Sequence, residues 1–283
     1  MSQADFSQQI SPQLFAAFYL PVLACYSLSW LIHQKLSKDE YQQRIAKTHT
    51  AVLISAEIDP IATRPITTQG GSALFALGAS YSNTVIIGLP ILLLALGEQV
   101  ISTVFLIVTF HSALLFFLTS AILARASCQR FNWSTFWQEN LKNPLIASIL
   151  SGALVNILAI ELPQALNDTL ILLGKPAITL ALFILGASLS FYSITGKFTQ
   201  LYLASFAKLL LLPIAVWCTA TYLFNLAALT TTILVILSAC PTGVNAYLVA
   251  KAQKQQQEVV AGTVVMTTLL SIITLPLWLS FLL

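Results

Sequence analysis

The sequences SNTVIIGLP at residues 82–90 and SACPTGVN at residues 238–245 each place a proline among polar residues within an apolar stretch long enough to cross a bilayer. A backbone carbonyl that loses its amide partner in lipid costs several kcal/mol unless protein, water or a ligand satisfies it. Two such interruptions therefore predict two broken helices with a binding site beside them.

The rest of the chain has the composition of a helical membrane protein. Hydrophobic residues make up 57% of it and charged residues only 8%, whereas a soluble globular protein has about 25% charged residues. This excludes a soluble globule and predicts an all-α integral membrane protein with about eight transmembrane helices. The spans are predicted at 13–34, 73–97, 101–124, 143–160, 168–191, 199–223, 229–250 and 259–282.

Lysines and arginines concentrate in the loops on one side of this predicted bundle. They are Lys35, Lys38, Arg44, Lys47, Arg64, Arg125, Arg130, Lys142, Lys197, Lys251 and Lys254. The opposite loops, around Glu98, Glu161 and Asn225, contain no lysine or arginine. Because cytoplasmic loops carry the excess of positive charge, we expect a multi-pass protein of the inner (plasma) membrane with basic loops in the cytoplasm and both termini outside. A basic surface that follows topology gives no indication of nucleic-acid binding.

The order of the spans predicts an inverted repeat. Pro90 falls in the second span and Pro241 in the seventh, so the two broken helices cross the membrane in opposite directions. Five spans follow residue 143 but only three precede it, so two more helices are expected before residue 13. The polar stretch 1–12 is then interpreted as a loop between helices, and the start as truncated or misassigned. The alternative is a true eight-helix protein with an unequal first half.

Each proline is expected to expose backbone groups. Pro90 would leave the carbonyl of Ile86 without its helical donor, and Pro241 would do the same to Leu237. A proline is also well placed at the start of a helix, so two half-helices would begin near these positions and direct free amides and positive dipole ends inward. An anionic group, such as a carboxylate, is the expected occupant.

Polar side chains near both prolines add neutral donors and acceptors. Gly88 and Gly243 are expected to allow backbone conformations that a helix interior disfavours. The alternative is a pair of ordinary proline kinks whose polar side chains join neighbouring helices, but two oppositely oriented breaks at equivalent places favour a site. The predicted substrate-binding residues are Asn83, Thr84, Gly88, Pro90, Pro241, Thr242, Gly243 and Asn245.

Three ionisable residues lie within predicted spans, and each has two interpretations. Lys208 either binds a neighbouring carbonyl or snorkels, or else contacts substrate, and Lys175 either attracts anions or reaches the headgroups. His111 is either a proton relay or a hydrogen-bonded core residue. No carboxylate lies in mid-membrane and no metal-ligand cluster is visible, so an intramembrane hydrolase is disfavoured and neither a metal nor a cofactor is predicted.

At this point the sequence resembles the auxin efflux carrier family, which includes bacterial malonate-type carriers and plant auxin exporters. The resemblance covers the chain from about residue 13, except the 36–72 connector. It rests on Asn83-Thr84 with Gly88-Leu89-Pro90, on Pro176 followed by Leu180 to Leu189 with Gly186-Ala187-Ser188, on Lys208-Leu209 with Pro213, and on Ala239 to Gly243 with Asn245 and Ala246, followed by Glu258 and Thr267 to Ser271.

The resemblance implies ten helices in two inverted five-helix repeats, divided into a scaffold and a mobile transport domain with two crossing, proline-broken helices. Substrate would bind at the crossing, where Asn83, Pro90, Pro241 and Asn245 fall. Matched onto this chain, the divisions are 1–12 as N-terminal loop, 13–35 and 73–124 as first-repeat transport helices, 36–72 as an inserted cytoplasmic loop, 143–191 as scaffold helices and 199–283 as second-repeat transport helices.

The expected function is therefore secondary transport and not catalysis. The substrate would be a small organic anion, either a carboxylate similar to malonate or malate or a weak acid similar to auxin, moved by alternating access of the elevator type. Homodimer formation is a further implication of the resemblance. The alternative is a transport-inactive remnant, or a ligand-binding membrane sensor of the same fold.

Overall fold

The computed structural model describes residues 11–52, 68–126, 160–174 and 198–283, with isolated residues between 151 and 187. The elements of the first half are α1 (Pro12–Val52), α2 (Thr68–Ser80), a π turn (Thr84–Gly88) that leads into α3 (Leu89–Leu96), and α4 (Ile101–Ala126). Those of the second half are α5 (Gln164–Gly174), α6 (Phe198–Phe206), a π turn (Ala207–Leu211), α7 (Leu212–Cys218), a π turn (Thr219–Leu223), α8 (Ala228–Ala239), α9 (Val244–Ala252) and α10 (Gln257–Leu282).

The predicted all-α membrane fold is confirmed. Among the described residues, four helical stretches are long and apolar enough to cross a membrane, and two shorter apolar helices flank the breaks. The long stretches are Pro12–Asp39, Glu98–Ala126, Phe198–Leu223 and Gln257–Leu282, and the short ones are Thr84–Leu96 and Ala228–Ala239. Most of the predicted spans 143–160 and 168–191 lies outside the described residues, and so does most of the expected scaffold.

The first helix is longer than the sequence indicated. Its apolar part was expected to end near residue 34, but α1 continues as helix to Val52. The interpretation of 36–72 as an inserted cytoplasmic loop therefore applies to a segment that begins in a helix and meets α2 at Thr68. Residues 53–67 lie outside the described part of the chain.

Polar side chains tie α1 to its neighbours inside an otherwise apolar core. The hydroxyl of Tyr19 donates to the carbonyl of Ile107 on α4 at 2.6 Å. Tyr26 Oη lies 2.9 Å from Thr119 Oγ1, also on α4. Because lipid tails are as apolar as the side chains they replace, helices in a membrane associate through close packing and such hydrogen bonds.

Two of the π turns end directly before a Leu-Pro pair. The amide of Leu89 donates to Thr84, and the amide of Leu212 donates to Ala207, in each case five residues back along the chain. The prolines that follow, Pro90 and Pro213, then occupy the first or second position of a new α-helical segment. A missing amide is tolerated at that position, so the helix continues past the proline without a break.

The bond between Tyr19 and Ile107 gives the first prediction. Substitution Tyr19→Phe removes the donor and should cost about 1 kcal/mol, which lowers the thermal midpoint of the detergent-solubilised protein by a few degrees. Tyr222→Phe is the matched control, because Tyr222 is 69% exposed and makes no hydrogen bond among the described residues. Equal midpoints for the two variants would show that the bond does not hold α1 to α4.

Candidate functional site

The two interrupted helices meet at their breaks. The amide of Asn83 donates to the carbonyl of Pro241 at 2.8 Å, and the amide of Gly243 donates to the carbonyl of Tyr81 at 3.0 Å. These bonds form an isolated antiparallel bridge between Ser82 and Thr242. The crossing is therefore a short piece of β-structure inside a helical bundle, and the two segments of the chain run through it in opposite directions.

The first break does not lie where the proline suggested. Helix α2 ends at Ser80, and the extended residues are 81–83, whereas Pro90 lies inside continuous helix. The first half-helix therefore begins at Thr84 and not near Pro90, because the π turn lets the helix continue past the proline. The exposed carbonyl at Ile86 stays a prediction. In the second helix α8 ends at Ala239 and α9 begins at Val244, so that break does surround Pro241, as predicted.

The two predicted glycines have a different role from the one expected. Gly88 has helical torsion angles (φ −63°, ψ −50°) and Gly243 extended ones (φ −72°, ψ 139°), and neither angle requires glycine. A Cβ atom at Gly88 would lie 3.0 Å from Cys240 Sγ, and one at Gly243 only 2.5 Å from Tyr81 Cε1. Both glycines are thus needed for the close approach of the two breaks.

Side chains from neighbouring helices satisfy the amides within the breaks. Ser82 donates its amide to His111 Nε2 on α4 at 3.0 Å. Thr242 donates its amide to Thr267 Oγ1 on α10, also at 3.0 Å. His111 accepts this bond through Nε2, so its ring carries a proton on Nδ1 only. The geometry matches the interpretation of His111 as a hydrogen-bonded core residue.

The free amides lie just beyond the breaks, in the first turns of the two half-helices. The first turn of a helix has no intrahelical acceptor for its amides, and neither Asn83 nor Gly243 caps its helix with a side-chain bond. Among the described residues no acceptor reaches these amides. They belong to Thr84, Val85 and Ile86 in the first half-helix and to Val244 and Asn245 in the second.

A hydrogen-bonded chain of side chains lies beside the crossing. Asn245 donates through Nδ2 to the hydroxyl of Tyr81 at 3.3 Å, and that hydroxyl lies 2.9 Å from Ser112 Oγ. The ring of Tyr81 stacks on His111 with centroids 5.2 Å apart. Sequence reasoning missed Tyr81 and Ser112 as site residues. The one available signal was their position next to Ser82 and His111 in the chain.

Three buried polar atoms at the crossing have no hydrogen-bond partner among the described residues. They are Asn83 Nδ2, Ser82 Oγ and His111 Nδ1. Asn83 is only 6% exposed and Ser82 1%, and a buried polar group without a partner costs about 1–3 kcal/mol. Such atoms mark a place where a ligand or water completes the structure.

Two lysines were predicted within membrane spans, and Lys208 is the one that the structure describes. Lys208 lies in the second π turn, is fully buried, and donates through Nζ to the carbonyl of Ser238 at 2.5 Å. The amide of Thr242 would take that carbonyl in a continuous helix, but it is bound to Thr267 instead. Lys208 therefore binds a neighbouring carbonyl, one of the two interpretations of this residue. Lys175 lies outside the described residues.

No metal centre is visible in the described part of the chain, since no group of three His, Cys, Asp or Glu side chains there is placed to hold an ion. Thr242 is also occupied, because its hydroxyl donates to the carbonyl of Gly78 at 2.7 Å. Its side chain fixes the second break against α2. Of the other predicted polar side chains, Asn83 has an Nδ2 without a partner among the described residues, and Asn245 donates to the hydroxyl of Tyr81.

The bond from Ser82 to His111 gives a prediction with a built-in comparison. His111→Phe fills similar space but leaves the Ser82 amide without an acceptor, at a cost of about 1–3 kcal/mol. His111→Gln keeps an acceptor in the side chain. The thermal midpoint in detergent should fall clearly for the phenylalanine variant and much less for the glutamine variant, and a reversed order would contradict the assigned bond.

The close approach of Gly243 to Tyr81 gives another prediction. Gly243→Ala must displace the rigid ring of Tyr81, an overpacking that typically costs about 1–3 kcal/mol, so the thermal midpoint should fall. Gly78→Ala is the control, because its new Cβ would lie 3.6 Å from Val260 in ordinary contact. If both alanine variants melt at the wild-type temperature, the two breaks are not in close contact.

Comparison with known proteins gives the same class. The family described as "Membrane transport protein" matches residues 125–279, a range that includes the second break but not the first. A protein named "Putative malonate transporter" from Rhizobium meliloti (strain 1021) is 25% identical over 211 residues. These cover 73% of this chain and 66% of that protein, so the chain spans just under two thirds of the length of this relative. The chain is a membrane transport protein of the auxin efflux carrier family.

Proposed function

We propose that this chain is a secondary carrier that moves a small organic anion across the inner membrane, with the anion held at the crossing of the two broken helices. The observation that carries the proposal is the pair of oppositely directed half-helices whose first-turn amides have no acceptor among the described residues. Membership of a membrane transport family supports transport over a purely structural role for these breaks.

The negative charge proposed for the substrate follows from the two helix N-termini that meet at the crossing. A helix N-terminus carries a partial positive charge and unpaired amides, which together favour an anion. The unpartnered Nδ2 of Asn83 adds a donor. The acidic side chains whose burial the structure describes are all exposed, so none of them offsets this positive potential at the buried crossing; they are Asp39, Glu98, Glu161, Asp168 and Glu258.

A dicarboxylate fits two such ends better than a monocarboxylate, because each carboxylate can face one half-helix. Malonate is therefore the first substrate to test, and the name of the relative points to the same acid. Malate has the same two charges on a longer chain. An auxin-like weak acid offers one carboxylate and an apolar ring, and would leave one half-helix end without a partner.

The manner of transport belongs to the same proposal. We infer alternating access of the elevator type, in which the helices at 13–35, 73–124 and 199–283 move against those at 143–191. The basic loops lie in the cytoplasm, both termini lie outside, and two copies pair as a dimer. The resemblance to the family supports the elevator movement and the dimer, and the distribution of lysine and arginine between the loops supports the orientation.

Uptake into proteoliposomes tests the proposal. Labelled malonate, malate, lactate and indole acetate are compared for the wild type, Asn83→Ala and Asn245→Ala. Loss of one hydrogen bond to a charged ligand should lower the uptake of malonate at limiting concentration by about 10- to 100-fold. Asn167→Ala on α5 is the matched control and should transport as the wild type does.

Each other outcome has a definite meaning. Unchanged flux in both Asn83→Ala and Asn245→Ala would remove these residues from the site. Thermal stabilisation by an acid without any uptake would favour the alternative, a ligand-binding sensor or inactive remnant, over the carrier. Uptake of indole acetate in preference to malonate would overturn the choice of a dicarboxylate.

A further inference from the structure

Lys208 is a buried charge that the proposed anion site does not yet explain. Its side chain is fully buried within the bundle, and its ammonium contacts the carbonyl of Ser238, three residues before Pro241. Ser238 belongs to the last turn of α8, whose final carbonyls have lost their helical donors at the break. The ammonium therefore lies at the negative end of a half-helix dipole.

The surroundings of Lys208 place it close to both breaks. Its π turn, Ala207–Leu211, packs near the end of α2, because Cys25 Sγ lies 3.8 Å from the carbonyl of Ala79 and 3.9 Å from that of Ala207. Ala79 is two residues before Tyr81, where the first break begins. The ammonium of Lys208 therefore lies in a region where α1, the end of α2 and the end of α8 are in contact.

No anionic side chain neutralises this ammonium within the described part of the chain. Lys208 forms no ion pair there, and its one hydrogen bond goes to a neutral carbonyl. An unpaired charge inside a membrane protein is expensive, and such residues pair with one another, with carbonyls or with transported ions. The carbonyl of Ser238 leaves the positive charge itself unbalanced, and an anionic substrate is a natural source of the balancing negative charge.

Lys208 lies at the kind of position where other carriers with discontinuous helices bind a cation, namely the C-terminal end of a half-helix. In these proteins the C-terminal ends of half-helices and the unwound carbonyls coordinate the coupling Na⁺ or H⁺, while the N-terminal ends hold the anionic substrate. Here the N-terminal ends are open and the C-terminal end of α8 is already occupied by an ammonium. The geometry resembles an ion-coupled site with its cation supplied by the protein.

We infer that Lys208 is a resident cation, which takes the place of a dissolved coupling ion at the end of α8 and whose charge the bound anion balances. This inference rests on the proposed function, because it assumes an anionic substrate at the crossing. It adds two statements: transport does not require sodium, and the selectivity for anions depends on Lys208 as well as on the half-helix ends.

The first experiment uses the wild-type protein only. Malonate uptake into proteoliposomes is measured with sodium outside and again with choline in its place, at equal ionic strength and pH. Equal uptake is expected, because the cation position is already filled. Uptake that depends on sodium would overturn the inference while leaving the anion carrier intact.

The second experiment removes the charge. Lys208→Met keeps the length and apolar stem of the side chain, and should weaken malonate binding to the purified protein by about 10-fold or more. Lys208→Arg keeps the charge and should retain more of the binding. Lys251→Met is the matched control, since Lys251 is exposed near the end of α9, and it should bind malonate as the wild type does.

Chemical rescue covers the case in which the methionine variant does not fold. Lys208→Ala leaves a space that propylammonium can enter, so millimolar propylammonium should restore malonate binding to this variant and should not improve the wild type. Unchanged binding by folded Lys208→Met, or no rescue of folded Lys208→Ala, would contradict the inference. A wild type that neither binds nor transports any of the four acids would instead contradict the proposed function, and the resident cation with it.

Discussion

The architecture around the crossing depends on the need to satisfy every main-chain polar group that is out of reach of water. Two hydrogen bonds between the breaks, from Asn83 to Pro241 and from Gly243 to Tyr81, satisfy four of these groups at the centre of the site. They also explain why glycine occupies positions 88 and 243, since a larger residue would hold the two broken helices too far apart for these bonds.

Three further main-chain groups at the breaks are bound by polar side chains from three other elements. His111 of α4 accepts from Ser82, Thr267 of α10 accepts from Thr242, and Lys208 of a π turn donates to Ser238. Each of these side chains contacts backbone at a break. The polar side chains around the crossing are thus organised by two short irregular segments, and the half-helix ends and a few side-chain atoms stay open to a ligand.

Much of this could be predicted from the sequence, and the exceptions have physical causes. Composition and span length gave the membrane class, and the parity of the spans predicted that the broken helices run in opposite directions. The position of the first break was wrong, because a π turn lets Pro90 begin a helical segment without ending the helix. The contacts of Tyr81 with Ser112 and Asn245 are tertiary, so no local pattern could indicate them.

The main-chain bridge between Ser82 and Thr242 also limits which conformational changes are accessible to the protein. A gate that opened by pulling the two interrupted helices apart would have to break both bonds of the bridge and leave their buried main-chain groups without these partners. Separation at this bridge would therefore be costly. The bridge therefore favours the proposed movement, in which both helices travel together, over one that parts them.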